Sequence, residues 1–112
     1  MRIIAVASQK GGVGKTTTTL ALGSLLTQMD RKVLLVDMDP QSSLSISCGV
    51  KGGNRSISDV LMGEVSIGKI LWEIQPGLYL APSDLRLTQV ELVLVGKLGR
   101  ENILKRSLNA LA

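Results

Sequence analysis

The sequence predicts an α/β fold in which helices flank a parallel sheet, and three observations lead to this prediction. Residues 3–7 and 32–37 form two apolar runs of strand length. Between them, apolar residues recur at helical spacing from about Gly14 to about Met29. The stretch that joins the first run to this helix is rich in glycine, which suits a tight turn. The continuous apolar character of residues 32–37 is typical of a parallel strand that is buried on both faces.

The remaining elements are predicted in chain order, beginning with a first strand at residues 2–7. A loop rich in serine, glycine and asparagine is expected at 42–56, with a turn at Gly52-Gly53-Asn54. Ser56 or Ser58 can cap the short helix that follows. The last third of the chain contains a predicted strand and two predicted helices, at 78–81, at 85–95 and around an apolar face of Ile103, Leu104, Leu108 and Leu111.

Composition limits the kinds of chemistry that this chain can perform. Hydrophobic residues make up 45% and charged residues 20%, which is usual for a globular protein and argues against disorder. The single cysteine, Cys48, cannot form an intramolecular disulfide, which fits a reducing cytoplasm. Histidine is absent, so the commonest metal ligand and general base is missing. With a net charge of +4 and only Trp72 and Tyr79 as aromatic residues, base stacking on single-stranded nucleic acid is not expected.

The stretch from Lys10 to Thr17 predicts a phosphate-binding loop. Its glycines allow backbone N–H groups to converge on an anion, and the following helix contributes the partial positive charge of its N-terminus. Lys15 can reach the β- and γ-phosphates of a nucleotide, and the Thr16 hydroxyl can bind Mg²⁺. The strict phosphate-loop pattern fails at one position, since Gln9 stands where the first glycine belongs. The alternative is a glycine turn with two solvated lysines.

Asp37 and Asp39 follow the second predicted strand directly. Carboxylates at this end of a parallel strand lie at the edge where α/β sheets place their ligands. One of the two can therefore reach a magnesium ion or an attacking water, whereas the alternative is that both only begin the next turn. Pro40 ends the strand because it has no backbone N–H to continue a ladder. A phosphate loop about twenty residues upstream favours the functional interpretation.

Two motifs resemble one family of nucleotide hydrolases. Lys10 to Thr17 resembles the deviant Walker A motif of the ParA/MinD family of P-loop ATPases, and Val36 to Gln41 resembles the switch segment of that family. The pair Pro40-Gln41 is similar to the ParA/Soj partitioning ATPases, and less so to MinD or the nitrogenase iron protein. The segments 57–61 and 78–83 are similar to the same group, so the resemblance extends over essentially the whole chain.

The resemblance implies a role for each residue of the loop. ATP or ADP would bind to the stretch formed by Lys10, Gly11, Gly12, Val13, Gly14, Lys15, Thr16 and Thr17. Lys15 would hold the β- and γ-phosphates, Thr16 and Asp39 would serve Mg²⁺, and Asp39 would also position the attacking water. Lys10 would reach across an ATP-dependent homodimer to the phosphates of the partner subunit, and Gly11 must be small because that subunit approaches there.

The resemblance also implies partners and an incomplete domain. Relatives act in chromosome or plasmid partitioning with a ParB-like centromere-binding partner and bind DNA non-specifically, in the cytoplasm and on the nucleoid. Family members are considerably longer, and residues 1–112 stop before the expected Walker B strand. We therefore expect the N-terminal part of a single P-loop ATPase domain, without a preceding operator-binding domain. It is either a fragment or a naturally short relative that exchanges elements between chains.

Two other functions remain open at this point. A truncated module that binds nucleotide or assembles without turnover would keep the loop but lack the Walker B aspartate. A MinD-like membrane-associated regulator is the third hypothesis, but the segment from Glu101 to Ala112 is short and contains neither Trp nor Phe, so no membrane binding is expected. A basic cluster near the end is explained better by a solvated helix face than by nucleic-acid contact. It comprises Lys97, Arg100, Lys105 and Arg106.

Overall fold

A computed structural model describes residues 2–6, 13–50, 54–97, 99 and 102–111 of the protein. Its elements in chain order are α1 (Val13–Gln28), β1 (Val33–Val36), α2 (Ser43–Ser47), α3 (Ile57–Leu61), a 3₁₀ turn (Ile67–Lys69), β2 (Trp72–Gln75), β3 (Leu78–Ala81), α4 (Leu87–Val95) and α5 (Ile103–Asn109). In the described residues the strands form one sheet in the order β1-β3-β2. β1 and β3 are parallel, with Val33 opposite Leu78, and β2 and β3 are antiparallel. The α/β prediction is confirmed.

Both faces of the sheet are covered by apolar side chains, as the continuous apolar run of β1 predicts. Alternate residues of a strand point to opposite faces. Leu35 therefore packs on one face, in a cluster that also contains Leu44, Leu78 and Leu80. Leu34 and Val36 pack on the other face, where the larger cluster is built from the buried sides of α3, α4 and α5.

Helix α1 packs closely against the sheet. A Cβ atom at Gly23 would lie 3.0 Å from Leu35 Cδ2 and 3.3 Å from Leu78 Cδ1, so the missing side chain permits this approach. The Thr27 hydroxyl donates to the Gly23 carbonyl at 2.8 Å, inside the last turns of the helix. No helix in the described part of the chain is long and apolar enough to span a membrane.

Several predicted boundaries differ from the structure. Residues 2–6 contain no strand, and Ile3 and Ile4 are 59% and 57% exposed, so the prediction of a first strand at 2–7 is wrong for these residues. A parallel strand needs a hydrogen-bonded neighbour, and none of the described strands runs beside them. The predicted loop 42–56 contains the short helix α2. Gly52 and Gly53, from the predicted turn, lie outside the described residues.

The sequence interpretation missed strand β2. This strand pairs with β3 as a hairpin, and Gly77 in the connection has a positive φ of 82° that favours glycine. Trp72, Glu73 and Gln75 are exposed, so the strand lacks the apolar run that identified its neighbours. Its existence depends on pairing with β3 more than on a hydrophobic pattern of its own.

Candidate functional site

The start of α1 contains the described part of the predicted phosphate loop. The helix begins at Val13, so Gly14, Lys15 and Thr16 lie in its first turn, where backbone N–H groups have no partner within the helix. The first turn contains no acidic residue, and a Cβ atom at Gly14 would meet no atom of the described residues within 4 Å. A helix N-terminus without acidic residues suits an anionic ligand.

The structure describes only some of the predicted loop residues. Lys15 and Thr16 are half-buried, and Thr17 is exposed. The prediction for the other loop residues, Lys10, Gly11 and Gly12, lies outside the described residues. The roles assigned to all of these positions therefore remain predictions.

The contacts of α1 show which edge of the sheet its N-terminus faces. Thr27, near the end of α1, lies beside Gly77, just before β3 begins, at 3.5 Å from an ideal Cβ of that glycine. Helix α1 also packs against α2, which follows the carboxyl end of β1. The helix thus runs antiparallel to β1, and its first turn points toward the edge where Asp37 and Asp39 emerge. This is the ligand edge of a parallel sheet.

Asp37 is buried and fully engaged by its own chain. Its Oδ1 accepts a hydrogen bond from the backbone N–H of Asp39 at 3.0 Å. Its Oδ2 accepts two more from Ser45, from the backbone N–H at 2.9 Å and from the hydroxyl at 2.6 Å. These three hydrogen bonds order the turn after β1 and leave Asp37 poorly placed to bind a ligand.

The charge of Asp37 also affects Cys48. Burial of the Cys48 thiol, and secondarily the negative charge of Asp37, raise the pKa of Cys48.

Asp39 has a more open environment than Asp37. It is half-buried, and its Oδ1 accepts the backbone N–H of Gln41 at 3.0 Å. Among the described residues, no donor lies within hydrogen-bond distance of its Oδ2. Of the two aspartates predicted at this edge, Asp39 is therefore the one whose carboxylate retains capacity for a ligand or a water.

Three serines that the sequence interpretation did not single out hold this turn in place. The Ser83 hydroxyl donates to the carbonyl oxygen of Asp39, and the Ser83 backbone N–H donates to the Ser45 hydroxyl at 3.1 Å. The Ser42 hydroxyl donates to the Ser83 carbonyl at 3.0 Å. Ser83 directly follows β3 and Pro82, so the rule that pointed to Asp37 and Asp39, applied to the third predicted strand, would have found it.

A second polar cluster joins the start of α3 to the segment that follows β3. Arg86 donates to both carboxylate oxygens of Asp59, at 2.9 and 2.8 Å, and also to Asp84 at 2.8 Å. Ser56 and Ser58 donate their hydroxyls to Asp84, both at 2.8 Å. The hydrogen bond from Arg86 lowers the pKa of Asp59, against the opposing effect of burial. Burial also raises the pKa of Asp84, but its hydrogen bonds outweigh that effect and the net shift is downward.

This cluster is explained by local structure. Ser56 caps α3 and accepts the backbone N–H of Ser58, while Asp59 accepts the backbone N–H of Ser56 at 2.8 Å. Such a reciprocal pair satisfies two donors at the start of a helix. Arg86 then joins that capped helix to the segment after β3. The prediction that Ser56 or Ser58 caps a short helix is confirmed for Ser56.

A sheet with a parallel strand pair, a helix whose N-terminus faces the carboxyl edge of that pair, and a carboxylate with an unpaired oxygen among the described residues form an arrangement typical of α/β domains that bind phosphate. The family model described as an AAA domain matches residues 1–112, and the chain belongs to this family. The family assignment agrees with the P-loop resemblance inferred from the loop and the segment that contains Asp39.

Curated relatives point to partitioning proteins. The chain is 40% identical over 114 residues to the chromosome partitioning protein ParA of Caulobacter vibrioides, covering 99% of this chain and 43% of the relative. It is 37% identical over 112 residues to the sporulation initiation inhibitor protein Soj of Bacillus subtilis, covering 97% and 44%. The resemblance to ParA/Soj proteins is confirmed. The chain spans less than half the length of these relatives.

Solved structures support the fold. A crystal structure of cobyrinic acid a,c-diamide synthase from Mycobacterium smegmatis, with a bound ATP analog and magnesium, superposes with a TM-score of 0.88. The two chains are 42% identical, and the match covers 94% of this chain and 44% of the other. The described part of the chain thus has the architecture of the N-terminal part of a nucleotide-binding protein.

Proposed function

We propose that the protein is a ParA-type, Mg²⁺-dependent ATPase of chromosome or plasmid partitioning, with residues 1–112 as the N-terminal part of its single P-loop domain. One observation carries the proposal: the first turn of α1, with Lys15 and Thr16, faces the sheet edge where Asp39 keeps a carboxylate oxygen available. Membership of the AAA domain family and the similarity to ParA and Soj support it.

Each residue of the site has its own role in nucleotide binding or hydrolysis. Backbone N–H groups at the start of α1 bind the nucleotide phosphates, and Lys15 neutralises the charge on the β- and γ-phosphates. Thr16 and Asp39 hold Mg²⁺, which neutralises charge on the phosphates when it is bound. Asp39 orients the attacking water through a carboxylate oxygen. Positioning and electrostatic stabilisation account for most of catalysis in phosphoryl transfer.

The proposal includes assembly and partners. ATP binding drives formation of a homodimer, in which Lys10 of one subunit approaches the phosphates held by the other. In the intact gene product, a ParB-like centromere-binding partner and non-specific DNA complete the system, in the cytoplasm and on the nucleoid. Similarity to ParA and Soj supports this part of the proposal.

The second candidate function is a module that binds nucleotide or assembles without turnover. It is favoured by one observation: among the described residues, no strand pairs with the segment 2–6 that precedes the loop. Phosphoryl transfer depends on rigid positioning of the reacting groups, to which a paired strand before the loop would contribute.

ATP binding and ATP hydrolysis, measured side by side, test the proposal and separate the two candidates. In the intact gene product, we expect Mg²⁺-dependent binding and slow hydrolysis, both strongly reduced by Lys15→Ala. Lys69→Ala is the matched control, because Lys69 is an exposed lysine in the 3₁₀ turn and should change neither quantity. Binding without hydrolysis would favour the inactive module, and absence of binding would contradict both. The same pair of measurements on residues 1–112 then shows how much of the activity this segment retains.

A further inference from the structure

Asp39 is held by Ser83, a residue that lies 44 positions away in the chain and has no charge of its own. The Ser83 hydroxyl donates to the Asp39 carbonyl, and the backbone N–H of Ser42 donates to the same oxygen at 2.9 Å. The backbone N–H of Asp39 is bound as well, to Asp37 Oδ1. Both backbone groups of Asp39 are therefore hydrogen-bonded, while its Oδ2 accepts no hydrogen bond from the described residues.

Ser83 is itself held by several hydrogen bonds. Ser83 is 8% exposed, and its three polar groups are all engaged: the hydroxyl by Asp39, the N–H by Ser45 and the carbonyl by Ser42. It follows β3 after Pro82, and the ladder between β3 and β1 continues to the hydrogen bond from Asp37 N–H to the Ala81 carbonyl at 3.0 Å. The sheet thus brings the segment of Ser83 beside the segment of Asp39.

We infer that Ser83, supported by Ser42, is a positioning residue for the Asp39 carboxylate in ATP hydrolysis. The inference rests on the proposed function of the site. Ser83 acts through its hydrogen bond to the Asp39 backbone. The Ser83 hydroxyl holds the backbone of Asp39 in place, so that the Asp39 carboxylate reaches the attacking water in one orientation. Groups that orient a functional carboxylate in this way typically change activity by roughly 10- to 100-fold when they are removed.

The chemistry predicts which kinetic constant should change. Ser83→Ala removes the hydroxyl but keeps the backbone N–H that bonds Ser45, and the Asp39 carbonyl retains its bond from Ser42. The fold is therefore preserved, and nucleotide binding, which depends on the start of α1, is preserved as well. Loss of orientation at Asp39 lowers kcat, whereas KM should stay within about threefold, because the phosphate contacts at the start of α1 are unchanged.

The test uses the intact gene product and four variants: Ser83→Ala, Ser42→Ala, Asp39→Ala and the double variant of Ser83 and Asp39. Ser66→Ala is the matched control, since Ser66 is an exposed serine whose side chain makes no capping hydrogen bond. We expect kcat to fall roughly tenfold or more in Ser83→Ala, less in Ser42→Ala, and not at all in the control. In single-turnover measurements, adding Ser83→Ala to Asp39→Ala should lower the residual rate no further, because Ser83 acts only through Asp39.

Each contrary result has a separate meaning. If the unmodified protein does not hydrolyse ATP, the proposed function fails, whereas an active protein with unchanged kcat in Ser83→Ala overturns the positioning role alone. A further fall in the double variant, or a change in KM without a change in kcat, also overturns it. If Ser83→Ala does not fold, as judged by circular dichroism, Ser42→Ala decides the question, and an unchanged kcat in that variant rejects the inference.

Discussion

The Asp37 carboxylate accepts two hydrogen bonds from a single residue, Ser45, through its backbone N–H at 2.9 Å and its hydroxyl at 2.6 Å. Asp37 directly follows β1, and Ser45 lies within α2, so this contact closes the turn between the two elements. A carboxylate that is 3% exposed is costly to bury unless its oxygens are paired, and here both are. The turn that contains Asp39 is therefore held by the hydrogen bonds of Asp37.

Asp37→Asn is expected to lower the free energy of unfolding by about 3 kcal/mol. The amide has only one acceptor oxygen, so at least one of the buried donors of Ser45 or Asp39 loses its partner. Urea denaturation followed by circular dichroism measures the change. Asp30→Asn is the control, because Asp30 is exposed with a φ of 62°, a conformation that asparagine adopts readily. Equal stability of both variants would show that the contacts of Asp37 contribute little.

Gly23→Val tests the close approach of α1 to the sheet. The Cβ alone would lie 3.0 Å from Leu35 and 3.3 Å from Leu78, so two further methyl groups must displace the helix or these buried side chains. We expect a loss of about 2 kcal/mol in unfolding free energy, a typical cost of overpacking. Gly96→Val is the matched control: no atom of the described residues lies within 4 Å of its Cβ position, and its φ is −86°. A stable Gly23→Val protein would mean that α1 does not pack at this distance.

The Arg86 cluster predicts a pH-dependent contribution to stability. The pKa values of Asp59 and Asp84 are lowered in the folded state. Their contribution is therefore complete above the unfolded pKa of about 3.9 and is lost as the pH falls through the folded values. Arg86→Met should lower the unfolding free energy by about 2 kcal/mol at pH 7, because the buried Asp59 loses two charge-assisted hydrogen bonds.

The same substitution should matter less at pH 3, below the unfolded pKa, where the contribution of the ionised carboxylates is being lost. Urea denaturation at the two pH values gives both differences. Arg31→Met is the control, since Arg31 is an exposed arginine that forms no ion pair with the described residues. A destabilisation by Arg86→Met that is independent of pH would indicate a packing role for this side chain and not an electrostatic one.

Lys10 is expected to act across the proposed dimer. Its position in the loop, upstream of Lys15, gives it no evident partner within one subunit, whereas in trans it can meet charge developing on the γ-phosphate. Groups supplied in this way contribute roughly 10³–10⁵-fold in rate. Lys10→Ala should therefore abolish turnover of the intact gene product and leave nucleotide binding weakened but present. Asp39→Ala should instead trap the ATP-bound dimer.

Mixing the Lys10→Ala and Asp39→Ala proteins tests the geometry. If each site takes Lys10 from the partner subunit, one of the two sites in a mixed dimer contains both groups, and ATPase activity partly returns. The mixture is assayed after heterodimers have been demonstrated with two affinity tags. Activity no higher than that of the separate variants would rule out the in-trans role of Lys10.

Much of the fold follows from local patterns. The helical spacing that predicts a helix from about Gly14 to about Met29 corresponds to α1, and the apolar runs at 32–37 and 78–81 correspond to β1 and β3. These predictions succeed because a buried strand or an apolar helix face is visible within a short window of sequence. Strand β2 was missed because three of its four residues are exposed, so pairing with β3 and not a hydrophobic pattern defines it.

The candidate site was predictable only in part. The loop and the two aspartates could be identified because glycine, lysine and threonine at fixed spacing have a direct relation to phosphate chemistry. The strand pattern alone could not distinguish Asp37 from Asp39, since both follow the same strand, and the family resemblance selected Asp39. Burial agrees with that choice: Asp37 is enclosed and bonded to Ser45, whereas one carboxylate oxygen of Asp39 has no partner among the described residues.

The sequence by itself predicted most of the elements and their order, apart from α2 and β2, and it predicted phosphate chemistry for the segment up to Thr17, because each of these depends on residues that are close in the chain. Only the tertiary structure decided which side chains meet across the sheet edge, such as Ser83 with Asp39 and Arg86 with Asp59. It also decided that residues 2–6, despite their apolar pattern, contain no strand. The physical reason is the same in each case: a strand needs a neighbour and a hydrogen bond needs a partner, and where these lie is set by how distant segments pack.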